Sequence, residues 1–131
     1  MILGTGADII AIDRIARAID VYGNRFITKV FTPVEIDYCS AKAQRMLHFA
    51  GRWAAKEAFY KALPLPCQHY AQWQSFEVVS GSAGFGKPGI ALCSARLKQA
   101  LADAGVHTIH LTISHEKTHC IAFVVITGGK V

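Results

Sequence analysis

The feature that most restricts how this chain can fold is the stretch AKAQRMLHFAGRWAAKEAFYKAL, Ala41 to Leu63, followed by Pro64 and Pro66. Proline lacks an amide N–H and its ring clashes with the preceding turn, so a helix running to Leu63 must stop there. At about 100° per residue, Ala54, Ala55, Ala58 and Ala62 fall on one side, small enough for a sheet to pack closely. Phe49, Trp53 and Tyr60 gather on another side. A helix apolar on most sides is central to its protein.

Charges in such a helix need a reason. Arg45, Arg52 and Lys56 share one stripe at i, i+7, i+11, while Glu57 and Lys61 are an i,i+4 pair on a different azimuth. Buried charge is costly unless it is paired or bound to an ion. An exposed i,i+4 pair is worth only about 0.2–0.5 kcal/mol. Spacing alone leaves two readings: an ordinary pair with snorkelling cations, or a carboxylate and an amine near cations, which suits a metal and phosphates. A hard metal such as Mg²⁺ takes oxygen ligands, usually one or two of them carboxylates. Asp8 is the natural second carboxylate, because it is the only charge before Asp13 and lies inside the apolar GTGADII.

The flanking segments supply the other elements. ILGTGADIIAI (Ile2 to Ile12) reads as a strand whose Gly4 and Gly6 keep the backbone bare. Asp13 is placed to cap a helix from Arg14 to about Tyr22, ended near Gly23. TPVE (Thr32 to Glu35) is a capping box with proline at the first helical position. SFEVVS and IALC read as strands around the turn region GSAGFGKPG, and Ser94 caps a helix through Ala104, closed by Gly105. HTIHLTIS (His107 to Ser114) and HCIAFVVI (His119 to Ile126) are β-branched runs on either side of Glu116, Lys117 and Thr118.

That last arrangement bears on the H-E-x-x-H pattern of His115, Glu116 and His119. A zinc hydrolase needs it on a helix, so that both imidazoles meet one metal. Here the flanks alternate like strands, and CIAFVVITGGKV supplies no third His, Asp or Glu. The segment is predicted to be a hairpin turn. Ser114 and His115 end a strand there, where a hydroxyl, backbone N–H groups and an imidazole can meet a phosphate.

Composition narrows the class. Lys and Arg number 14 against 9 acids, a net charge of +5, which favours polyanionic partners such as phosphorylated molecules, nucleic acid or an acidic protein. Cys39, Cys67, Cys93 and Cys120 form no C-x-x-C pair, so reduced, mostly buried thiols in a cytoplasmic protein are expected. No apolar run reaches the ~18 residues of a membrane span, and Asp8 and Asp13 interrupt an N-terminus without a basic region, so neither a span nor a secretory leader is expected.

Four stretches together carry a resemblance: GTGADIIAIDRI (Gly4 to Ile15), FTPVEIDYC (Phe31 to Cys39), FAGRWAAKEAFYKA (Phe49 to Ala62) and ISHEKTHCIAFVVI (Ile113 to Ile126). In that order they resemble the holo-acyl-carrier-protein synthases, small phosphopantetheinyl transferases. The resemblance implies an α+β fold, an antiparallel sheet packed against the long helix, in one domain over residues 1–131. It implies transfer of 4'-phosphopantetheine from coenzyme A to a serine of apo acyl carrier protein, with release of adenosine 3',5'-bisphosphate. Asp8 and Glu57 match the family's Mg²⁺ carboxylates, and Lys61 the lysine near the phosphates. Ser114 and His115 match the pair that contacts coenzyme A, and Arg52 and Lys56 match family cations. The family docks its acidic carrier on the first helix: Arg14 matches a position there, and Arg17 and Arg25 extend it. A homotrimer with active sites between subunits is expected, with neither membrane nor nucleic acid as partner. Where the family usually continues with a Gly-rich loop, this chain has Leu63-Pro64-Leu65-Pro66-Cys67. The rival reading is a non-catalytic basic module for anions or nucleic acid, which leaves Asp8 and Glu57 unexplained.

Overall fold

The computed structural model describes residues 1–81 and 87–129. Its elements run β1 (Ile2–Ala11), α1 (Ile12–Tyr22), α2 (Asn24–Val30), α3 (Pro33–Ser40), α4 (Arg45–Ala62), α5 (Leu65–Gln68), β2 (Phe76–Val79), β3 (Gly89–Leu92), α6 (Ala95–Asp103), β4 (Val106–His115) and β5 (His119–Gly128). The long strands form one antiparallel sheet in the order β1-β5-β4, and β2 pairs with β3 in a second, antiparallel ladder. The architecture is α+β, with α4 lying across the three-stranded sheet, as the residue pattern and the resemblance imply. Residues 82–86 of the predicted turn region lie outside the described residues.

The contact between α4 and β1 explains both the alanines and the glycines. Ala54, Ala55, Ala58 and Ala62 are buried on the side facing the sheet. A Cβ built on Gly4 would overlap the carbonyl oxygen of Ala62, and one on Gly6 that of Ala58. Helix and strand therefore approach at backbone distance, which only small residues on both sides allow. The register then fixes what faces the helix: Gly4, Gly6, Asp8 and Ile10 pair with Ile126, Val124, Ala122 and Cys120 of β5, all buried. Asp8 stands in that row, two residues beyond the closest approach.

A buried network anchors the other side of α4. Thr32 caps α3 in the predicted box: Glu35 N donates to Thr32 Oγ1 at 3.4 Å and Thr32 N to Glu35 Oε1 at 2.9 Å. Glu35 does more than complete the cap. Its Oε1 also accepts from Lys56 Nζ at 2.8 Å and its Oε2 from Val78 N at 2.8 Å, while Lys56 Nζ donates to Phe76 O at 3.0 Å. One ion pair, 0% exposed on either side, thus joins α3, α4 and β2.

Several expected boundaries move. The central helix starts at Arg45 rather than Ala41, because no side chain caps it and residues 41–44 make only a turn. α1 begins at Ile12, so Asp13 is not its cap but an acid in its first turn, where the helix dipole favours it. Gly23, at φ 56°, ends α1 and opens the unforeseen α2. The thiols are free, three buried and Cys93 exposed, and burial pushes Cys39 up to about 12.

Candidate active site

Three of the charged residues singled out in the sequence meet at the β1 end of α4. Lys61 Nζ donates to Asp8 Oδ1 at 3.1 Å and to Ala7 O at 3.2 Å. Its i,i+4 spacing from Glu57 suggested a pair along the helix, but the ion pair it forms is the one with Asp8. Asp8 and Glu57 are near enough for the Asp8 carboxylate to act on Glu57. Burial pushes the Glu57 carboxyl up, Asp8 pushes it the same way, and the Lys61 ammonium opposes them.

The cluster is incomplete as a set of ion pairs. Asp8 Oδ2 is buried without any hydrogen-bond partner. A buried carboxylate oxygen normally has a partner, and leaving one orphaned costs about 1–3 kcal/mol or more. An oxygen-only donor pair with one orphaned oxygen fits a hard divalent cation of the Mg²⁺ kind, which completes its shell with waters and phosphate oxygens. Among the described residues no group of three His, Cys, Asp or Glu could hold a metal. His115 ends β4 and His119 opens β5, with Glu116 N donating to His119 O at 3.0 Å across the turn, so the H-E-x-x-H pattern lies on a hairpin and not on the helix that a zinc hydrolase of this pattern uses.

The cation stripe on α4 divides into three environments. Arg45 is exposed, with its guanidinium 5.9 Å from the Phe49 ring. Arg52 is 6% exposed, lies 3.8 Å over the Tyr38 ring and leaves Nε without a partner. It lines a cavity of about 220 Å³ together with Tyr38, His48, Ser80 and His115. Lys56 points instead into the pair with Glu35, where burial pushes its ammonium down against the pull of that carboxylate. Ser114, aligned across β5 with Ile121 and Ile9, belongs to the other sheet face, in a cleft that His115 also borders. The structure thus puts His115 in one cavity with Arg52, whereas sequence reasoning missed His48 and the Glu35 partner of Lys56.

A third cavity, of about 330 Å³, opens beside Glu57 and is lined also by Lys56, Tyr60, Gln72, Trp73 and Phe76. Trp73 stacks on Trp53 at 4.9 Å. Arg14 and Arg17 are exposed on α1, whereas Arg25 is exposed on the separate α2.

Residues 4–124 match the family model described as 4'-phosphopantetheinyl transferase superfamily. The chain belongs to this superfamily. Within it, the chain is an enzyme of the holo-[acyl-carrier-protein] synthase group. The holo-[acyl-carrier-protein] synthase of Halothermothrix orenii is 41% identical over 125 residues, 95% of this chain and 97% of that one. That of Koribacter versatilis is 38% identical over 126 residues, 96% and 98% of the two chains. Among solved structures, the holo-[acyl-carrier-protein] synthase of Neisseria meningitidis superposes with a TM-score of 0.83 at 27% identity, covering 97% of this chain and 99% of that one. The Bacillus anthracis enzyme, solved in complex with coenzyme A (3',5'-ADP), gives 0.75 at 29% identity, with 98% and 99% covered.

Proposed function

We propose that this chain moves 4'-phosphopantetheine from coenzyme A to a serine hydroxyl of an apo acyl carrier protein, with Mg²⁺ at Asp8 and Glu57, releasing adenosine 3',5'-bisphosphate. The observation that carries the reading is the orphaned, buried Asp8 Oδ2 beside Glu57. Two acids without a bridging cation repel a pyrophosphate, which is why a plain basic module does not account for them. In the reaction the serine oxygen attacks the phosphorus bearing pantetheine. The bond from that phosphorus to the adenosine-side oxygen breaks, and the hydroxyl proton is lost to a base. Such transfer depends on in-line positioning and on neutralising charge that builds on phosphate oxygens and the leaving group. Mg²⁺ between the two carboxylates would supply part of that neutralisation.

The side chains divide the remaining work. Asp8 and Glu57 fix the cation's place, because β1 and α4 are locked at the glycine–alanine contact. Lys61, half-exposed and tethered to Asp8 Oδ1 and Ala7 O, offers its ammonium to the leaving bisphosphate. Arg52 and His115 hold the coenzyme's other phosphate in their shared cavity, and Ser114 meets the coenzyme from the opposite face of the sheet. Lys56 fixes the wall behind the site through Phe76 and Glu35.

Charge and apolar surface suggest the partners. Arg14, Arg17 and Arg25 are exposed and form no ion pair among the described residues, which suits docking of an acidic carrier protein. The sheet face away from α4 exposes Ile9, Ile121 and Phe123 beside Ser114, an apolar patch that supports a homotrimer with active sites at the subunit boundaries. The residues act as one domain over 1–131. No described helix is long and apolar enough to cross a membrane, and the free thiols support a cytoplasmic setting.

The test is the intact mass of an apo acyl carrier protein after incubation with this enzyme, coenzyme A and Mg²⁺. The reading expects a gain of one phosphopantetheine, abolished by EDTA and in Asp8→Ala. A folded protein that binds coenzyme A equally well with and without Mg²⁺, and modifies no carrier, would overturn it.

A further inference from the structure

The cavity that holds Arg52 contains a histidine to which the reading above gives no role. His48 precedes Arg52 by one helical turn on α4 and lines the same cavity as Arg52 and His115. Tyr38 of α3 orders both: its ring lies under the Arg52 guanidinium at 3.8 Å and meets the His48 ring edge-on at 5.6 Å. The groups that face His48 are Tyr38 from α3, Lys42 from the turn before α4, Arg52 from α4 and His115 from β4. The Cys120 thiol of β5 lines the same cavity and donates to Leu47 O at 3.6 Å.

Every charge acting on this imidazole among the described residues is positive. Burial pushes its proton affinity below the ordinary histidine value, and Arg52, Lys42 and His115 push it further the same way. The uncomplexed imidazole is therefore neutral at neutral pH. Arg52 meanwhile is buried and keeps an unpartnered Nε, so the cavity is short of negative charge. An arriving dianion reverses the local field: it satisfies Arg52 and favours the cationic form of any imidazole in contact with it.

We propose that His48 is a third anion-binding side chain of this cavity, and that it takes up a proton as the terminal phosphomonoester of the coenzyme enters. The inference rests on the coenzyme A reading given above. Proton uptake on binding means that affinity rises as pH falls, over the window between the imidazole's uncomplexed and complexed values. Below about pH 6 the phosphomonoester itself begins to protonate and the gain fades. His48 thus makes recognition of this phosphate dependent on pH in a way that arginine alone cannot, since guanidinium never gives up its proton.

The experiment is calorimetric titration of the whole protein with coenzyme A and with 3'-dephospho-coenzyme A, each in two buffers of different ionisation enthalpy, at a pH of about 7.5. The proposal expects proton uptake with coenzyme A and little with the dephospho form, and a smaller uptake with coenzyme A in His48→Phe and His48→Gln. At about pH 6.5 both variants should bind coenzyme A roughly tenfold more weakly than wild type, the scale of one charge-assisted hydrogen bond. By about pH 8.5 the difference should shrink towards nothing, as expected for an imidazole that has lost its proton throughout. Equal uptake in both folded variants would assign the proton to His115 and overturn the proposal. Equal binding of the two ligands by wild type would show that the phosphomonoester does not enter this cavity, and would overturn it too. Failure of wild type to bind either ligand would instead sink the coenzyme A reading itself.

Discussion

Lys56 and Glu57 are neighbours on one helix, yet they end in opposite kinds of site. Lys56 joins Glu35 in a pair closed to solvent, in which the ammonium and both carboxylate oxygens have partners. Glu57 joins Asp8 and Lys61 in a cluster open to solvent, where one buried carboxylate oxygen has none and the two acids push against each other. A network that satisfies itself has nothing left to offer a ligand. A network left short of positive charge, on rigid supports, has kept its binding capacity in reserve. The same difference should separate what mutations do: at the closed pair they should cost stability, and at the open cluster they should cost chemistry.

The sharpest way to break this contrast is Glu57→Gln, which keeps the volume and removes the charge. Carrier modification should fall by at least about a hundredfold, the scale of losing one positioned group that stabilises the transition state. Thermal stability without Mg²⁺ should not fall. Initial rates by intact-mass kinetics, set beside a denaturant melt, test both halves at once. A variant that loses both together would make Glu57 a structural acid like Glu35.

The next largest effect belongs to the closed pair. Lys56→Met leaves the Glu35 carboxylate buried without its cation and should cost about 3–5 kcal/mol in denaturant unfolding. Adding Glu35→Gln should recover part of that loss, and the double-mutant cycle measures the coupling. Under conditions where Lys56→Met remains folded, its affinity for coenzyme A should stay within a few-fold of wild type. A large loss of affinity in the folded variant would show that Lys56 reaches the coenzyme, as the family resemblance implies.

A smaller effect tests the support between the two sites. Gly6→Ala forces a methyl group into the Ala58 carbonyl, so β1 must move away from α4 at a cost of about 1–3 kcal/mol. Because Asp8 rides on that strand, the apparent Mg²⁺ requirement for turnover should rise as well. Unchanged Mg²⁺ dependence would separate the helix–strand contact from the cation site.

Much of this arrangement was legible in the chain, and the limits follow from distance. Local rules read the Thr32 capping box, the alanine face of α4 and the β4–β5 hairpin, because each depends on residues within a few positions of one another. The cation stripe failed as a single face because side-chain partners lie far along the chain. Glu35 is 21 residues from Lys56, and Asp8 is 53 from Lys61. Helical spacing offered Lys61 the nearer Glu57, and the fold delivered Asp8. His48 gave no signal at all, since one histidine in an apolar helix is unremarkable until Arg52 and His115 surround the same space. Of the short helices, α2 hides behind the Gly23 break, and α5 forms where two prolines argued only for an end.

The smallest effect is a pH dependence, and its sign decides whether the open cluster is truly open. Burial and the Asp8 carboxylate raise the Glu57 carboxyl above its ordinary 4.5, with Lys61 opposing them. The folded protein therefore holds this proton more tightly than the unfolded chain does. The protonated group's contribution to stability is complete below the unfolded value and is lost as pH rises through the folded one. Glu57→Gln has no such proton to lose. Without divalent cation, wild type should lose stability relative to the variant as pH climbs through that window, and the gap should then stay constant. Mg²⁺ should close the gap by binding the native ionised pair, stabilising wild type and leaving the variant unmoved. If wild type instead gained stability over the variant across the same window, Lys61 would already be neutralising Glu57, the cluster would be a second closed network, and the cation would have no charge left to meet.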